Sequence, residues 1–115
     1  MITIAAPIIG KEETDAVNEV LRSGMLAQGP KVAELEQAFA DYCGTKYGLA
    51  LNSGTAAIHA ALHAAGVGAG DEVITTPFSF IATINPVLMQ GATPVLVDID
   101  ESTYNIDPAL VKNAI

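Results

Sequence analysis

The sequence predicts an α/β fold in which helices connect the strands of a mostly parallel sheet. Short apolar runs typical of buried strands alternate with longer runs whose apolar residues recur at helical spacing. Loops that contain glycine separate the two kinds of run. Because strands that alternate with helices are joined by right-handed crossovers, we expect the strands to lie parallel in one sheet.

Two amphipathic helices are predicted before the first strand. The first covers residues 11–23 and carries acidic residues in its first turn, where the helix dipole favours them. The second begins at Pro30, after a loop with two glycines, and ends at Gly44. Each helix has a stripe of apolar residues that we expect to be buried. These residues are Ala16, Val17, Val20 and Leu21 in the first helix and Val32, Leu35, Phe39 and Tyr42 in the second.

Three strands and three further helices are predicted in the rest of the chain. The strands are residues 47–51, 72–75 and 93–97, and the helices that follow the first two are residues 56–67 and 80–90. Pro86 lies inside the second of these helices and should kink it. Asp107 and Pro108 have the pattern of an N-cap and a first helical residue. This last helix reaches Ile115 without a stop signal, so we expect the sequence to be part of a longer chain.

Composition limits the partners that this chain can have. Five lysines and arginines face thirteen aspartates and glutamates, and the formal net charge is −8, so we expect no binding to nucleic acid or to an anionic membrane. Half of the residues are hydrophobic, and a chain of this size can bury roughly 65% of its unfolded surface. A single cysteine and a first segment without a basic leader, interrupted by Pro7, predict a cytoplasmic protein.

The most informative motif is the polar turn Asn52–Ala57, between the first predicted strand and its helix. Such a turn leaves backbone N–H groups without partners at a helix N-terminus, where the helix dipole favours negative charge. The turn therefore predicts a phosphate site, although a serine hydroxyl cap on an ordinary helix would have the same sequence. The spacing matches neither the Gly-Lys-Ser/Thr ending of a P-loop nor the three glycines of a dinucleotide site.

Aromatic and acidic side chains follow the second and third predicted strands. Phe78 and Phe80 lie where parallel sheets bind ligands, so one ring could stack on a flat ligand. Core packing is the simpler interpretation of a lone aromatic residue. Asp98 and Asp100 end the third strand, and a solvated turn is a simpler explanation of this pair than a metal or acid–base site.

The remaining reactive residues do not form a recognisable catalytic set. His59 and His63 lie four residues apart on one predicted helix, but a zinc site needs a third ligand, so we expect no metal site. Cys43 has no activating base and is expected to be a small buried residue. No lysine is predicted to lie in an apolar pocket that would lower its pKa for Schiff-base chemistry. The four lysines are Lys11, Lys31, Lys46 and Lys112.

Four sequence blocks occur in a specific order and spacing. They are Leu51–His59, Gly70–Ile74, Pro77–Thr83 and Gly91–Asp100. Together they resemble the DegT/StrS-type aminotransferases, fold type I pyridoxal-phosphate enzymes that mostly aminate keto sugars attached to nucleotides. The resemblance runs over nearly the whole chain. It implies a three-layer α/β/α fold of the aspartate-aminotransferase type, in which residues 1–115 form the first part of the large domain.

The resemblance divides this part into a helical segment over residues 1–45 and a βαβαβ segment over residues 46–115. It also implies the roles of particular residues. The implied cofactor-binding residues are Ser53, Gly54, Thr55 and Ala56, which hold the phosphate, and Phe80, which stacks on the cofactor ring. Met25, Leu26 and Gly29 are implied to line the entrance for the sugar substrate, near a homodimer interface. No residue of this chain matches a catalytic position of the family.

The reaction that the resemblance implies is amino transfer from an amino acid, expected to be glutamate, to a ketone on a nucleotide-linked sugar. Such reactions serve amino-sugar and cell-surface polysaccharide biosynthesis. In the family, the lysine that bonds to pyridoxal phosphate and the carboxylate against its pyridine nitrogen lie beyond position 115, so this chain alone is expected to be inactive. Two alternatives stay open, namely another fold type I enzyme such as a desulfurase or aldolase, and a non-catalytic binding or assembly module.

Overall fold

The computed structural model describes residues 4–115, and these residues divide into two compact units. The first unit ends at Ala50, and the second covers Leu51–Ile115. Residues 1–3 lie outside the described range. They are the start of the predicted helical segment over residues 1–45 and of the first segment that lacks a basic leader. Among residues 4–115, no helix is both long enough and apolar enough to cross a membrane.

The first unit contains two helices, α1 (Lys11–Ser23) and α2 (Pro30–Cys43). Both predicted helices are confirmed. Their boundaries could be predicted because they depend on local sequence signals. Gly24 and Gly44 end the helices in the left-handed conformation, with φ values of 71° and 66°, which glycine adopts without a steric penalty. Pro30 occupies the first turn of α2, where its missing N–H leaves no helical hydrogen bond unmade.

The second unit is an α/β arrangement around two parallel strands. Strand β1 (Glu72–Thr75) pairs with β2 (Thr93–Leu96), in a register that runs from Glu72 opposite Thr93 to Thr75 opposite Leu96. The predicted second and third strands and their parallel pairing are therefore confirmed. The helices of this unit are α3 (Gly54–Ala64), α4 (Asn85–Met89) and α5 (Pro108–Asn113), and α3 packs against α4.

The predicted strand over residues 47–51 is wrong, since these residues form no regular element. A strand needs a neighbour for its backbone hydrogen bonds, and within residues 4–115 the backbone N–H of Ala50 instead donates to Oε1 of Glu36 at 2.9 Å. Gly48 lies directly against the backbone of α2, where an added Cβ would come within 2.5 Å of the Glu36 carbonyl oxygen.

The single helix predicted over residues 80–90 is also wrong. The structure has a 3₁₀ turn at Ile81–Thr83, and α4 then begins at Asn85. Proline cannot donate a helical hydrogen bond, and inside a continuous helix its ring would clash with the carbonyl four residues before it, whereas neither penalty applies in a first turn. Pro86 therefore starts a new helix in its first turn and does not kink a continuous one. The predicted helix over residues 56–67 is confirmed in type, although it begins earlier, at Gly54, and ends at Ala64.

Burial is much lower than the composition predicts. The chain exposes 9084 Å², against roughly 6,000 Å² for a compact protein of its mass and roughly 17,000 Å² for its unfolded chain. About half of the unfolded surface is thus buried, so the prediction of 65% is wrong. The buried residues among residues 4–115 are few and small, namely Ala40, Thr75, Pro86, Val87 and Ala92.

The predicted burial of the apolar stripes on α1 and α2 is wrong for most of their members. Val17, Leu21, Leu35, Phe39 and Tyr42 are exposed, and Cys43, predicted to be buried, is exposed as well. Sequence periodicity identifies which face of a helix is apolar, but a neighbouring element must cover that face before it is buried. Within residues 4–115, no element covers these side chains.

Candidate functional site

The N-terminus of α3 is built by the polar turn that the sequence singled out. Ser53 has extended backbone geometry and caps the helix, because its Oγ accepts a hydrogen bond from the Ala56 N–H at 3.1 Å. The Ser53 carbonyl oxygen accepts from the Ala57 N–H at 3.0 Å. The side-chain cap and the first regular helical hydrogen bond thus pair the amides of Ala56 and Ala57.

Two amides of this helix end remain available to a ligand. The N–H groups of Gly54 and Thr55 have no hydrogen-bond partner among residues 4–115. No acidic residue lies in the first turn of α3, so the positive end of the helix dipole is not neutralised by the chain itself. Nothing lies within 4 Å of the position that a Cβ on Gly54 would take. This open, donor-rich space fits an anion, and we call Ser53, Gly54, Thr55 and Ala56 the α3 cradle.

Phe80 lies on an element that neighbours α3. It immediately precedes the 3₁₀ turn at Ile81–Thr83, and this turn contacts α3. The Phe80 carbonyl oxygen accepts the first hydrogen bond of the turn, from the Thr83 N–H at 2.9 Å. The Phe80 side chain is 77% exposed, so its ring is free to cover a ligand. Phe78, by contrast, stacks on Tyr104, with ring centroids 5.8 Å apart and an angle of 27° between the planes.

Asp98 and Asp100 organise the backbone after β2. Oδ1 of Asp100 accepts hydrogen bonds from the backbone N–H groups of Ser102 and Thr103, at 2.8 Å and 3.0 Å. Hydrogen bonds from the Ser102 hydroxyl, and then from these two backbone amides, hold the pKa of Asp100 below its usual value. Asp98 accepts from the N–H of its neighbour Ile99 at 2.8 Å. These contacts support the interpretation of the pair as a turn.

The two histidines of α3 line one pocket together with Gln90, whose Nε2 donates to the His59 carbonyl oxygen at 3.1 Å. In the part of the chain that the structure describes, no three histidine, cysteine, aspartate or glutamate side chains are grouped so as to hold a metal ion.

The three residues implied to line a sugar entrance share a pocket of the first unit. Met25, Leu26 and Gly29 line a pocket of about 200 Å³ between residues of α1 and α2. Gly29 is close to the loop backbone, because an added Cβ would lie 3.2 Å from the Met25 carbonyl oxygen. The structure places this pocket and the α3 cradle in different units.

Charged residues in the same pocket were missed by the sequence analysis. Lys31 lies between two glutamates, with its Nζ 3.1 Å from Glu34 Oε2 and 3.7 Å from Glu19 Oε2. The hydrogen bond that Lys31 donates to Glu34, followed by the charge of Glu19, raises the pKa of Lys31. The three-residue spacing of Lys31 and Glu34 was a detectable signal for this ion pair, whereas Glu19 comes from the other helix.

All four lysines are exposed within the part of the chain that the structure describes. Lys11 pairs with Asp15, and Lys46 lies over the Tyr47 ring with its Nζ 5.1 Å from the centroid. The raised pKa of Lys31 is opposite to the lowered value that a nucleophilic lysine needs.

Comparisons with known proteins extend these observations. A model of the DegT/DnrJ/EryC1/StrS aminotransferase family matches residues 7–115. Among curated proteins, the chain is 52% identical over 109 residues to the spore coat polysaccharide biosynthesis protein SpsC of Bacillus subtilis (strain 168). This match covers 95% of the chain and 28% of SpsC.

Solved structures show the same relationship. Spr1654 from Streptococcus pneumoniae, a proposed sugar aminotransferase solved in PLP and PMP forms, is 39% identical with a TM-score of 0.91. The match covers 99% of this chain and 29% of Spr1654. NtdA from Bacillus subtilis, solved with the bound cofactor PMP, is 39% identical with a TM-score of 0.85, over 93% of this chain and 26% of NtdA. The chain spans less than a third of the length of each of these relatives.

Proposed function

The chain belongs to the DegT/DnrJ/EryC1/StrS aminotransferase family, and we propose that it is the amino-terminal part of a pyridoxal-phosphate-dependent sugar aminotransferase. In this proposal, residues 1–115 form the first part of the large domain of a longer protein, which we call the parent protein. The parent protein transfers an amino group from an amino acid, which we propose to be glutamate, to a ketone of a nucleotide-linked sugar.

The observation that carries the proposal is the α3 cradle. Gly54 has helical geometry, and an added Cβ would meet no neighbour, so the chain itself has no steric need for a glycine there. A phosphate that approaches the two free amides does need this space. The bound forms of Spr1654 and NtdA support pyridoxal phosphate as the source of the phosphate.

Each residue of the site has a physical task in this proposal. The amides of Gly54 and Thr55 donate to phosphate oxygens, the Ser53 hydroxyl fixes the helix end, and Phe80 covers one face of the pyridine ring. When bound, pyridoxal phosphate supplies an electron sink for breaking a bond at the amino-acid α-carbon. The lysine that bonds to the cofactor is proposed to lie outside residues 1–115, because the lysines present are exposed and two of them are paired with carboxylates.

The substrate class rests on the relatives and on the pocket in the first unit. SpsC takes part in polysaccharide biosynthesis and Spr1654 is a proposed sugar aminotransferase, so we propose the same pathway class for the parent protein. Met25, Leu26 and Gly29 are the proposed sugar-entrance residues, since they line one pocket. We further propose a cytoplasmic homodimer that binds neither nucleic acid nor membrane, in agreement with the net charge of −8.

Borohydride reduction tests the proposed function. The parent protein is incubated with pyridoxal phosphate, reduced, digested and analysed by mass spectrometry. We expect one lysine beyond Ile115 to carry the reduced cofactor. The isolated 115-residue chain, treated in parallel, should carry no specific label on any of its four lysines. A parent protein without a labelled lysine would contradict the proposal, and specific labelling of Lys46 or Lys31 would show that the catalytic lysine had been misplaced.

A further inference from the structure

Two exposed aromatic rings contact each other at the carboxyl end of the sheet. Phe78 follows β1, and Tyr104 lies in the turn between β2 and α5. Their centroid separation of 5.8 Å lies within the range of roughly 4.5–7 Å at which aromatic pairs attract. The two residues are 61% and 65% exposed, so no other part of residues 4–115 buries the pair.

Tyr104 reaches Phe78 from an unusual backbone conformation. Its φ value of 58° is in the left-handed region, which a bulky residue rarely adopts. The turn around Asp100 holds it there, because the Tyr104 N–H donates to the Asp100 carbonyl oxygen at 2.8 Å. Glycine or asparagine would fit this position with less strain, so the presence of tyrosine points to a use for its ring.

The segment that carries Phe78 is also fixed on both sides. The Phe78 N–H donates to Thr76 Oγ1 at 3.2 Å, and the hydroxyls of Ser79 and Thr83 lie 2.8 Å apart. Phe80 lies two residues beyond Phe78 and has no stacked aromatic partner within residues 4–115. The contact with Tyr104 is thus one of three restraints on the segment that presents the exposed Phe80 ring.

We propose that Phe78 and Tyr104 form an aromatic brace that positions Phe80 against the cofactor ring. This inference rests on the proposed function and assigns the two neighbouring phenylalanines different tasks. Phe80 contacts the ring of pyridoxal phosphate, whereas Phe78 and Tyr104 are positioning residues that act through Phe80. The turn around Asp100 holds the brace in place, which gives that turn a role at the site without direct chemistry.

Two substitutions at Tyr104 in the parent protein test the brace. Tyr104→Asn removes the ring but keeps a residue that tolerates the left-handed conformation, and Tyr104→Phe keeps the ring. We expect Tyr104→Asn to weaken pyridoxal phosphate binding about threefold to tenfold, as measured by equilibrium dialysis. It should also reduce the induced circular dichroism of the bound cofactor, which reports how the ring is held. Tyr104→Phe should restore both properties.

A second background separates positioning from general stability. In a Phe80→Leu protein there is no aromatic ring to position, so Tyr104→Asn should cause no further loss of pyridoxal phosphate affinity. If Tyr104 had only a structural role, Tyr104→Asn would weaken binding by the same factor in both backgrounds. Phe78→Leu should behave as Tyr104→Asn does, and combining the two should add little.

The outcomes distinguish this inference from the proposed function. A native parent protein that binds no pyridoxal phosphate overturns the proposed function and the brace together. Native binding with unchanged affinity and circular dichroism in Tyr104→Asn overturns the brace alone. An equal loss in the native and Phe80→Leu backgrounds also overturns it, because the effect then does not pass through Phe80.

Discussion

Helices α1 and α3 both begin after a residue with extended backbone geometry, but they satisfy their first amides differently. At α1, Oε2 of Glu13 accepts a hydrogen bond from the Gly10 N–H at 2.7 Å, and Glu12 adds a second acidic residue to the first turn. At α3, the neutral hydroxyl of Ser53 caps one amide, and no acidic residue is present in the first turn.

This contrast indicates which helix end is open to a ligand. The backbone amides of Glu13 and Gly10 donate hydrogen bonds to the Glu13 carboxylate. These bonds hold the pKa of Glu13 below its usual value, so the carboxylate is the favoured form. Helix α1 therefore already carries an anion at its positive end. The chain has thirteen acidic residues and places none of them in the first turn of α3. A bound phosphate would supply there the charge that Glu13 supplies at α1.

The largest effect is expected when α3 carries an anion of its own. We expect Thr55→Asp to weaken pyridoxal phosphate binding by the parent protein about a hundredfold, because a carboxylate among the free amides repels the phosphate. The same change should leave α3 as stable as before or more stable, since an acidic residue in a first turn interacts favourably with the helix dipole. Equilibrium dialysis and urea unfolding of the cofactor-free protein measure the two effects.

Thr55→Asn is the matched control, because it has the shape of the aspartate without its charge. We expect it to weaken binding far less, by about threefold or less, because the backbone amide stays in place and no charge is added. Equal losses in the aspartate and asparagine variants would show that charge at the end of α3 is not what the ligand recognises.

A smaller effect is expected from filling the open space at Gly54. Gly54→Ala should raise the stability of the cofactor-free parent protein by about 0.5 kcal/mol, because alanine favours the helix. It should also weaken pyridoxal phosphate binding about tenfold, because the Cβ enters the space beside the free amides. Thermal unfolding and dialysis provide the two measurements.

Gly68→Ala is a suitable control for this substitution. Gly68 also has an open Cβ position and no positive φ value, but it lies in the loop before β1. Its replacement should leave cofactor affinity unchanged. If both alanine variants bind the cofactor as the native protein does, the space at Gly54 is not needed by the phosphate.

The smallest effect is expected at α1. Glu13→Gln removes the charge and keeps an oxygen acceptor, so amide exchange in the first turn of α1 should accelerate about twofold at neutral pH. Because folding lowers the pKa of Glu13, the stabilisation is present above the usual glutamate range and is lost as the pH falls through the lowered value. Hydrogen exchange of the two proteins should therefore converge in acid, and a difference that does not depend on pH would contradict this account.

The features that the sequence predicted well are those that depend on nearby residues. The boundaries of α1 and α2 follow from Gly24, Pro30 and Gly44, which act within one helical turn. The cap at the start of α5 is equally local, because Asp107 Oδ1 accepts from the Ala109 N–H at 2.8 Å. The cap of the α3 cradle was predictable for the same reason.

The features that failed depend on distant partners. The apolar pattern of residues 47–51 suits a strand, but no strand among residues 4–115 pairs with it. Leu35 and Phe39 lie on an apolar face, yet these residues are 56% and 61% exposed because no described element covers them. At the site, the turn chemistry of Asp100 could be recognised, whereas the stacking of Tyr104 on Phe78 joins residues 26 positions apart that share no local signal.

The close approach of Gly48 to α2 has a consequence for mutational scanning. An added Cβ there would overlap the Glu36 carbonyl oxygen, so no larger residue fits unless the backbone moves. In a deep mutational scan scored by growth, Gly48 would look as intolerant as the α3 cradle. A second scan scored by cellular abundance would separate them, because variants of Gly48 would be lost in both scans and variants of the cradle only in the first.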